Sequence, residues 1–76
     1  DATIEIKGID RKGMLLDVSK VISDQLGINI HKVTISSDNG IFDGTIELRV
    51  HDREEVKTIM NQLRNIDDLQ EVQRIL

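Results

Sequence analysis

An α+β fold, with four antiparallel strands and two helices packed on one face of the sheet, is predicted by this 76-residue sequence. Two observations predict it. Apolar residues alternate at period two in four segments and recur at helical spacing in two, in the order β-α-β-β-α-β. Between the second and third strand segments stands "DNG", Asp38 to Gly40, a strong hairpin signal.

The first strand is "ATIEIKGI", Ala2 to Ile9. Ile4 and Ile6 alternate there with Thr3, Glu5 and Lys7, the signature of a strand with one buried face. From Gly13 the period changes. Leu15, Val18, Ile22 and Leu26, with Met14 and Val21 beside them, form an apolar stripe at helical spacing. Gly27 is placed to stop that helix by taking a left-handed conformation. "INIHKVTISS", Ile28 to Ser37, is β-branched, with Val33 and Ile35 alternating against Thr34 and Ser36. Ile28 and Ile30 are out of phase with that pair, which predicts a bulge near His31.

The returning strand is "IFDGTIELRV", with Ile46, Leu48 and Val50 facing inward and Thr45, Glu47 and Arg49 outward. Asp52 followed by Glu55 reads as a capping box, opening a second helix with the stripe Val56, Ile59, Met60 and Leu63. "NIDD" ends that helix, and "LQEVQRIL" supplies the fourth strand. The economical packing of this order is the ferredoxin-like arrangement. The uncovered sheet face then carries Thr3, Glu5, Lys7, Thr34, Ser36, Thr45, Glu47, Arg49 and Glu71, all polar.

A chain of this length holds one small core, so residues 1–76 form a single domain. It begins with Asp1 rather than Met, which reads as a domain taken from a longer protein. With no cysteine, disulfides and thiolate metal sites are excluded. No apolar run approaches the roughly 20 residues that span a bilayer, and no signal peptide is visible. The expected location is cytoplasmic. A formal net charge of −4 argues against a free-standing nucleic-acid binder, whose footprint is usually basic.

Catalysis needs a nucleophile with a base, a metal cluster or a cofactor motif, and none is visible. Ser19, Ser23, Ser36 and Ser37 lack nucleophile-elbow glycines. Asp24 and His51 read as solvated groups, and Asp67 with Asp68 as a helix-ending turn. His31 and His51 are expected near opposite ends of neighbouring strands, poor geometry for a shared metal. No cofactor is implied. Base stacking on the sheet requires exposed aromatics, yet Phe42 is the only aromatic residue. A copper carrier would need Cys-x-x-Cys where this chain has "DRKG".

"IDRKGMLLDV", Ile9 to Val18, passes from strand to helix through Asp10, Arg11, Lys12 and Gly13. The glycine permits a tight turn and leaves backbone N–H groups unshielded at a helix start. Together with the helix dipole they favour an anion such as a carboxylate. The alternative is structural: Asp10 caps the helix, Gly13 permits the turn, and Arg11 and Lys12 are solvated. A second candidate is "GIN", Gly27 to Asn29, at the far end of the helix. One molecule would not bring the two together. A copy packed side by side would set Asn29 of one beside the first turn of the other. An asparagine amide has both the donor and the acceptor to read an amino acid's α-carboxylate or α-amino group. Its structural alternative is a polar residue at a strand start, satisfied by its own backbone.

"DRKGMLLDVSKVISDQLGINIHKVTISS" closely resembles the first half of an ACT domain, with its turn glycine, first helix and "G-[IV]-N-I" entry to the second strand. The form Asp-Arg-x-Gly-[LM]-Leu-x-Asp-[VI], with "G(T)IELRV" in the third strand and "VQRI" at the end, is similar to the C-terminal ACT domain of RelA/SpoT-type enzymes. Those are bacterial synthetases and hydrolases of the alarmone (p)ppGpp. ACT first turns usually carry proline before the glycine, and Lys12 in that place suits the RelA/SpoT branch. The resemblance covers essentially the whole chain.

It implies a non-catalytic regulatory domain that pairs side by side as a homodimer and senses an amino acid, branched-chain by family analogy. The implied ligand region is Asp10, Arg11, Lys12, Gly13 and Met14 on one side, with Ile28 and Asn29 facing it. Asp10 stands where some amino-acid-binding members present an amide, so it would repel a ligand's carboxylate or accept its ammonium. Catalytic domains of the parent enzyme are implied partners, as is contact with the ribosome and tRNA, for which Arg11, Lys12 and Lys32 are the available basic residues. The alternatives are an interaction module without a ligand, or a plain dimerisation unit.

Overall fold

The computed structural model describes residues 1–76, with the side chain of Gln25 outside the description. Four strands, β1 (Ala2–Ile9), β2 (Asn29–Asp38), β3 (Ile41–Arg49) and β4 (Leu69–Arg74), form one antiparallel sheet in the order β2-β3-β1-β4. Helix α1 (Met14–Ser19) follows β1 and runs on as a π-helical stretch, Lys20–Gln25. Helix α2 (Arg53–Arg64) joins β3 to β4. This is the ferredoxin-like βαββαβ arrangement that the period changes predict.

Burial explains the layering. In β1 and β3 the even-numbered residues are buried and the odd ones face out, so Ile4, Ile6, Ile46 and Leu48 lie under the helices. Met14, Val18, Ile22, Val56, Ile59 and Leu63 close the core from above. The open face is polar as expected, apart from the cross-strand pair Ile9 and Ile41, which stands exposed at the first-turn end.

One stripe residue is misassigned by spacing alone. Leu15 is 47% exposed, and Leu16 is exposed beside it, while Met14 takes the core position. Helical side chains step about 100° per residue, so 14-18-21-22 and 15-18-22-26 fit the period almost equally. The sheet and α2 cover one flank of α1 and not the other. Asp17, Lys20 and Val21 adjoin the turn after α2. Leu15, two residues and about 200° from Asp17, lies on the opposite flank.

The predicted irregularities are present. Lys32 pairs with Glu47 and Ile30 with Leu48, leaving His31 unpaired as a bulge. Asn39 and Gly40 connect β2 to β3 with φ of 52° and 79°, the positive values of a tight hairpin turn. The helix ends at Gly27, φ 64°, after the Leu26 N–H has bonded five residues back to the Val21 carbonyl at 3.1 Å. His31 and His51 correct the expectation of opposite ends: the bulge and the residues after Arg49 lie at the same end of the hairpin. Among the described residues, no group of three or more His, Cys, Asp or Glu could hold a metal ion.

Candidate functional site

The first turn departs from the structural alternative at two residues. Asp10 does not cap α1. The N-cap is Gly13, left-handed at φ 84°, with no side-chain cap, and its carbonyl accepts from the Asp17 N–H at 2.9 Å. Asp10 instead uses its backbone N–H on the Gly40 carbonyl at 2.9 Å, tying the turn to the β2–β3 hairpin and leaving its carboxylate exposed. Only glycine takes that backbone conformation without strain.

Arg11 is the second departure. Its Nη2 lies 2.8 Å from Asp17 Oδ2 and donates to the Asp67 carbonyl at 2.9 Å, and its Nε lies 3.2 Å from Asp68 Oδ2. The side chain is 27% exposed. It therefore clamps the first turn, α1 and the α2–β4 turn together rather than reaching into solvent. The hydrogen bond that Arg11 donates to Asp17, and the charges of Asp17, Asp68 and Asp67, hold the guanidinium above its ordinary pKa. Beside the clamp, Gly8 lets the chain approach closely: a Cβ there would lie 2.9 Å from Leu69 Cα and collide with the Asp68 carbonyl. That carbonyl accepts from the Ile9 N–H at 2.8 Å.

The remaining first-turn residues divide simply. Lys12 is exposed. Met14 is a core side chain, 1% exposed, and its N–H bonds to the Arg11 carbonyl at 3.2 Å, so its side chain faces no ligand from this turn. A cleft of about 280 Å³ beside Arg11 is lined by Asp17, Lys20, Val21, Asn65, Ile66 and Asp67.

At the other end of α1, Asn29 is exposed and Ile28 is nearly buried, its N–H bonded to the Ile22 carbonyl at 2.9 Å. Both line a second groove of about 340 Å³ with Gly27, Arg49, Val50, His51 and Glu55. Glu55 Oε1 accepts from the His51 N–H at 2.9 Å, while the Glu55 N–H bonds to Asp52 Oδ1 at 2.9 Å. The capping box is thus present, with its return arm one residue earlier than the pattern predicts. Val50, His51 and Glu55 were not legible as groove residues, since each has a local role in strand, cap or solvent. Arg49 was read only as a residue of the uncovered sheet face, although a two-residue turn and one bulge set it opposite Asn29.

The two groups of site residues do not meet in one chain. Asp10 bonds at the turn end of the β2–β3 hairpin and Asn29 starts β2 at the other, roughly 30 Å away for a ten-residue strand.

Comparison with known proteins fits this geometry. A family model described as ACT domain matches residues 1–74. The crystal structure of the ACT domain from GTP pyrophosphokinase of Chlorobium tepidum superposes with a TM-score of 0.87 at 30% identity, covering 97% of this chain and 95% of that one. Its solution NMR structure gives 0.85 at 30% identity, covering 97% and 83%. The acetolactate synthase small subunit from Thermotoga maritima shares the fold, with a TM-score of 0.81 at 17% identity over 96% of this chain and 45% of that one. No curated protein matches the chain.

Proposed function

This chain belongs to the ACT domain family, as a regulatory domain related to that of a GTP pyrophosphokinase, and from that premise we propose that it senses an amino acid at a pairing interface. Its occupancy would be relayed to the catalytic domains of a (p)ppGpp synthetase/hydrolase.

The observation that carries the reading is the state of β2. It is an edge strand of ten residues with an unpaired hydrogen-bonding side. Its helix-side residue Val33 is 37% exposed, and Leu15 on α1 is 47% exposed. A long free edge beside uncovered apolar side chains is a template for another strand. A second copy pairing antiparallel through β2 covers the edge and Val33. That pairing sets the start of one β2 against the end of the other. Asn29 of one copy then approaches the hairpin end of the other, where that copy's Asp10 N–H is bonded to its own Gly40 carbonyl. The two half-sites, separated within one chain, face each other across the pair.

Regulation follows if the ligand binds paired and unpaired, or two paired, arrangements with different affinity. Docking on ribosomal RNA draws less support, because the Arg11 donors are engaged within the chain. Calorimetric titration of the domain with each of the twenty amino acids tests the reading. Heat from one or a few of them is expected, and heat from none contradicts it.

A further inference from the structure

An antiparallel pair of β2 strands has several registers open to it, and the geometry points to one. Ile35 lies on the two-fold axis, and Lys32 of each copy faces Asp38 of the other. The inference rests on the pairing reading above and deepens it by fixing which residues meet.

Backbone direction narrows the choice. Asp38 and Ile41 pair across the two-residue turn, and the Gly40 carbonyl faces β1, where it accepts from the Asp10 N–H. Backbone groups alternate in direction along a strand, so Ile41 turns its own toward β2 and Asp38 turns its own toward β3. In β2 the even residues Lys32, Thr34, Ser36 and Asp38 are thereby committed to β3. Val33, Ile35 and Ser37 present theirs at the free edge. Across the axis, odd residues must then meet odd ones and even residues even ones. Val33 pairs with buried Ile46, so the odd side chains lie on the helix side and the even ones on the open face.

Charge selects among the registers that remain. Lys32 and Asp38 are both exposed, and the ion pairs among the described residues involve Arg11, His51 and Lys57 instead. Centred on Ile35, the pair sets Lys32 against Asp38 twice and Thr34 against Ser36 twice. These are non-hydrogen-bonded positions, where facing side chains approach most closely. Val33 of one copy lies diagonal to Ile35 of the other. Centred instead on Val33, Thr34 or Ser36, the axis leaves Lys32 facing Thr34, Ser36 or Gly40.

The chain has no cysteine, so introduced cysteines report the register without background. Lys32→Cys and Asp38→Cys are mixed and mildly oxidised, beside each variant and Thr34→Cys alone. A disulfide is expected in the mixture, where facing Cβ atoms lie near the span that a disulfide bridges, and little in any variant alone. Charge exchange gives a second readout by sedimentation equilibrium. Lys32→Asp is expected to weaken dimerisation about tenfold, because two attractive pairs become two repulsive ones. Adding Asp38→Lys to it is expected to restore the dimer. Both positions are exposed, so the variants are expected to keep the wild-type circular dichroism. Cross-linking of Thr34→Cys with itself, or no recovery in the double variant, overturns this register and leaves pairing standing. A wild-type domain that stays monomeric at millimolar concentration overturns both.

Discussion

Asn29 stands opposite Arg49 across the β2–β3 ladder because His31 is passed over in the pairing. Glu47 and Leu48 are consecutive on β3, yet their partners Lys32 and Ile30 are not consecutive on β2. That one-residue excess sets Asn29 beside Arg49 at one end of the hairpin. Deleting His31 therefore removes only the unpaired residue. A cross-strand contact between Asn29 and Arg49 should survive in the NMR spectrum, with a stability loss of about 1 kcal/mol. A changed partner for Asn29 would refute the register argument.

Gly13 holds the first turn in a left-handed conformation, φ 84°, and the nearest atom to an added Cβ is Arg11 Nη1 at 3.9 Å. Space is not the constraint there; the backbone angle is. Gly13→Ala is expected to lower unfolding free energy by about 1 kcal/mol, and Gly13→Asn by less, because asparagine tolerates that region better. Urea denaturation of the three proteins checks the order.

At Gly8 the constraint is the reverse. Its φ is not positive, but a Cβ would meet backbone at Asp68 and Leu69, which cannot move aside as a flexible side chain can. Gly8→Ala should destabilise by about 1–3 kcal/mol. It should also speed hydrogen exchange at Ile9, whose N–H is bonded to the Asp68 carbonyl.

Arg11→Met removes the clamp between the first turn, α1 and the α2–β4 turn. The folded pKa of Arg11 is raised above its unfolded value, so its contribution to stability is fully present below the unfolded value and is lost only as pH rises through the folded one. The difference in Tm between wild type and Arg11→Met is therefore expected to stay flat from about pH 6 to about pH 10. It should shrink in concentrated salt, because the pairs are part-exposed. A difference that changes across that pH range would contradict the clamp.

Local pattern was enough for the strands, both helices, the hairpin turn and the bulge, because each is set by residues close in sequence. Ile28 and Ile30, out of phase with Val33, announced the bulge directly. Tertiary features were less accessible. Leu15 and Met14 fit the helical period almost equally, and only the position of α2 and the sheet decides which is buried. Arg11 read as solvated because Asp67 and Asp68 lie 56 or more residues away. Asp10 read as a cap because the turn was placed three residues early, before the left-handed Gly13. For the site, the sequence kept the two candidate segments apart, as they are in the fold, but Glu55 and His51 joined only because the start of α2 and the start of β2 line one groove.

The claim that a ligand sits between the first turn of one copy and the Asn29 groove of another is tested most directly by one NMR titration. L-Valine is added to millimolar concentration to the wild-type domain and to Val33→Lys, which charges the uncovered flank of β2. The amides of Asp10 to Met14 should shift together with those of Ile28, Asn29 and Arg49, and Val33→Lys should suppress both sets. Absence of any shift in the wild type, or equal binding by Val33→Lys, would contradict it.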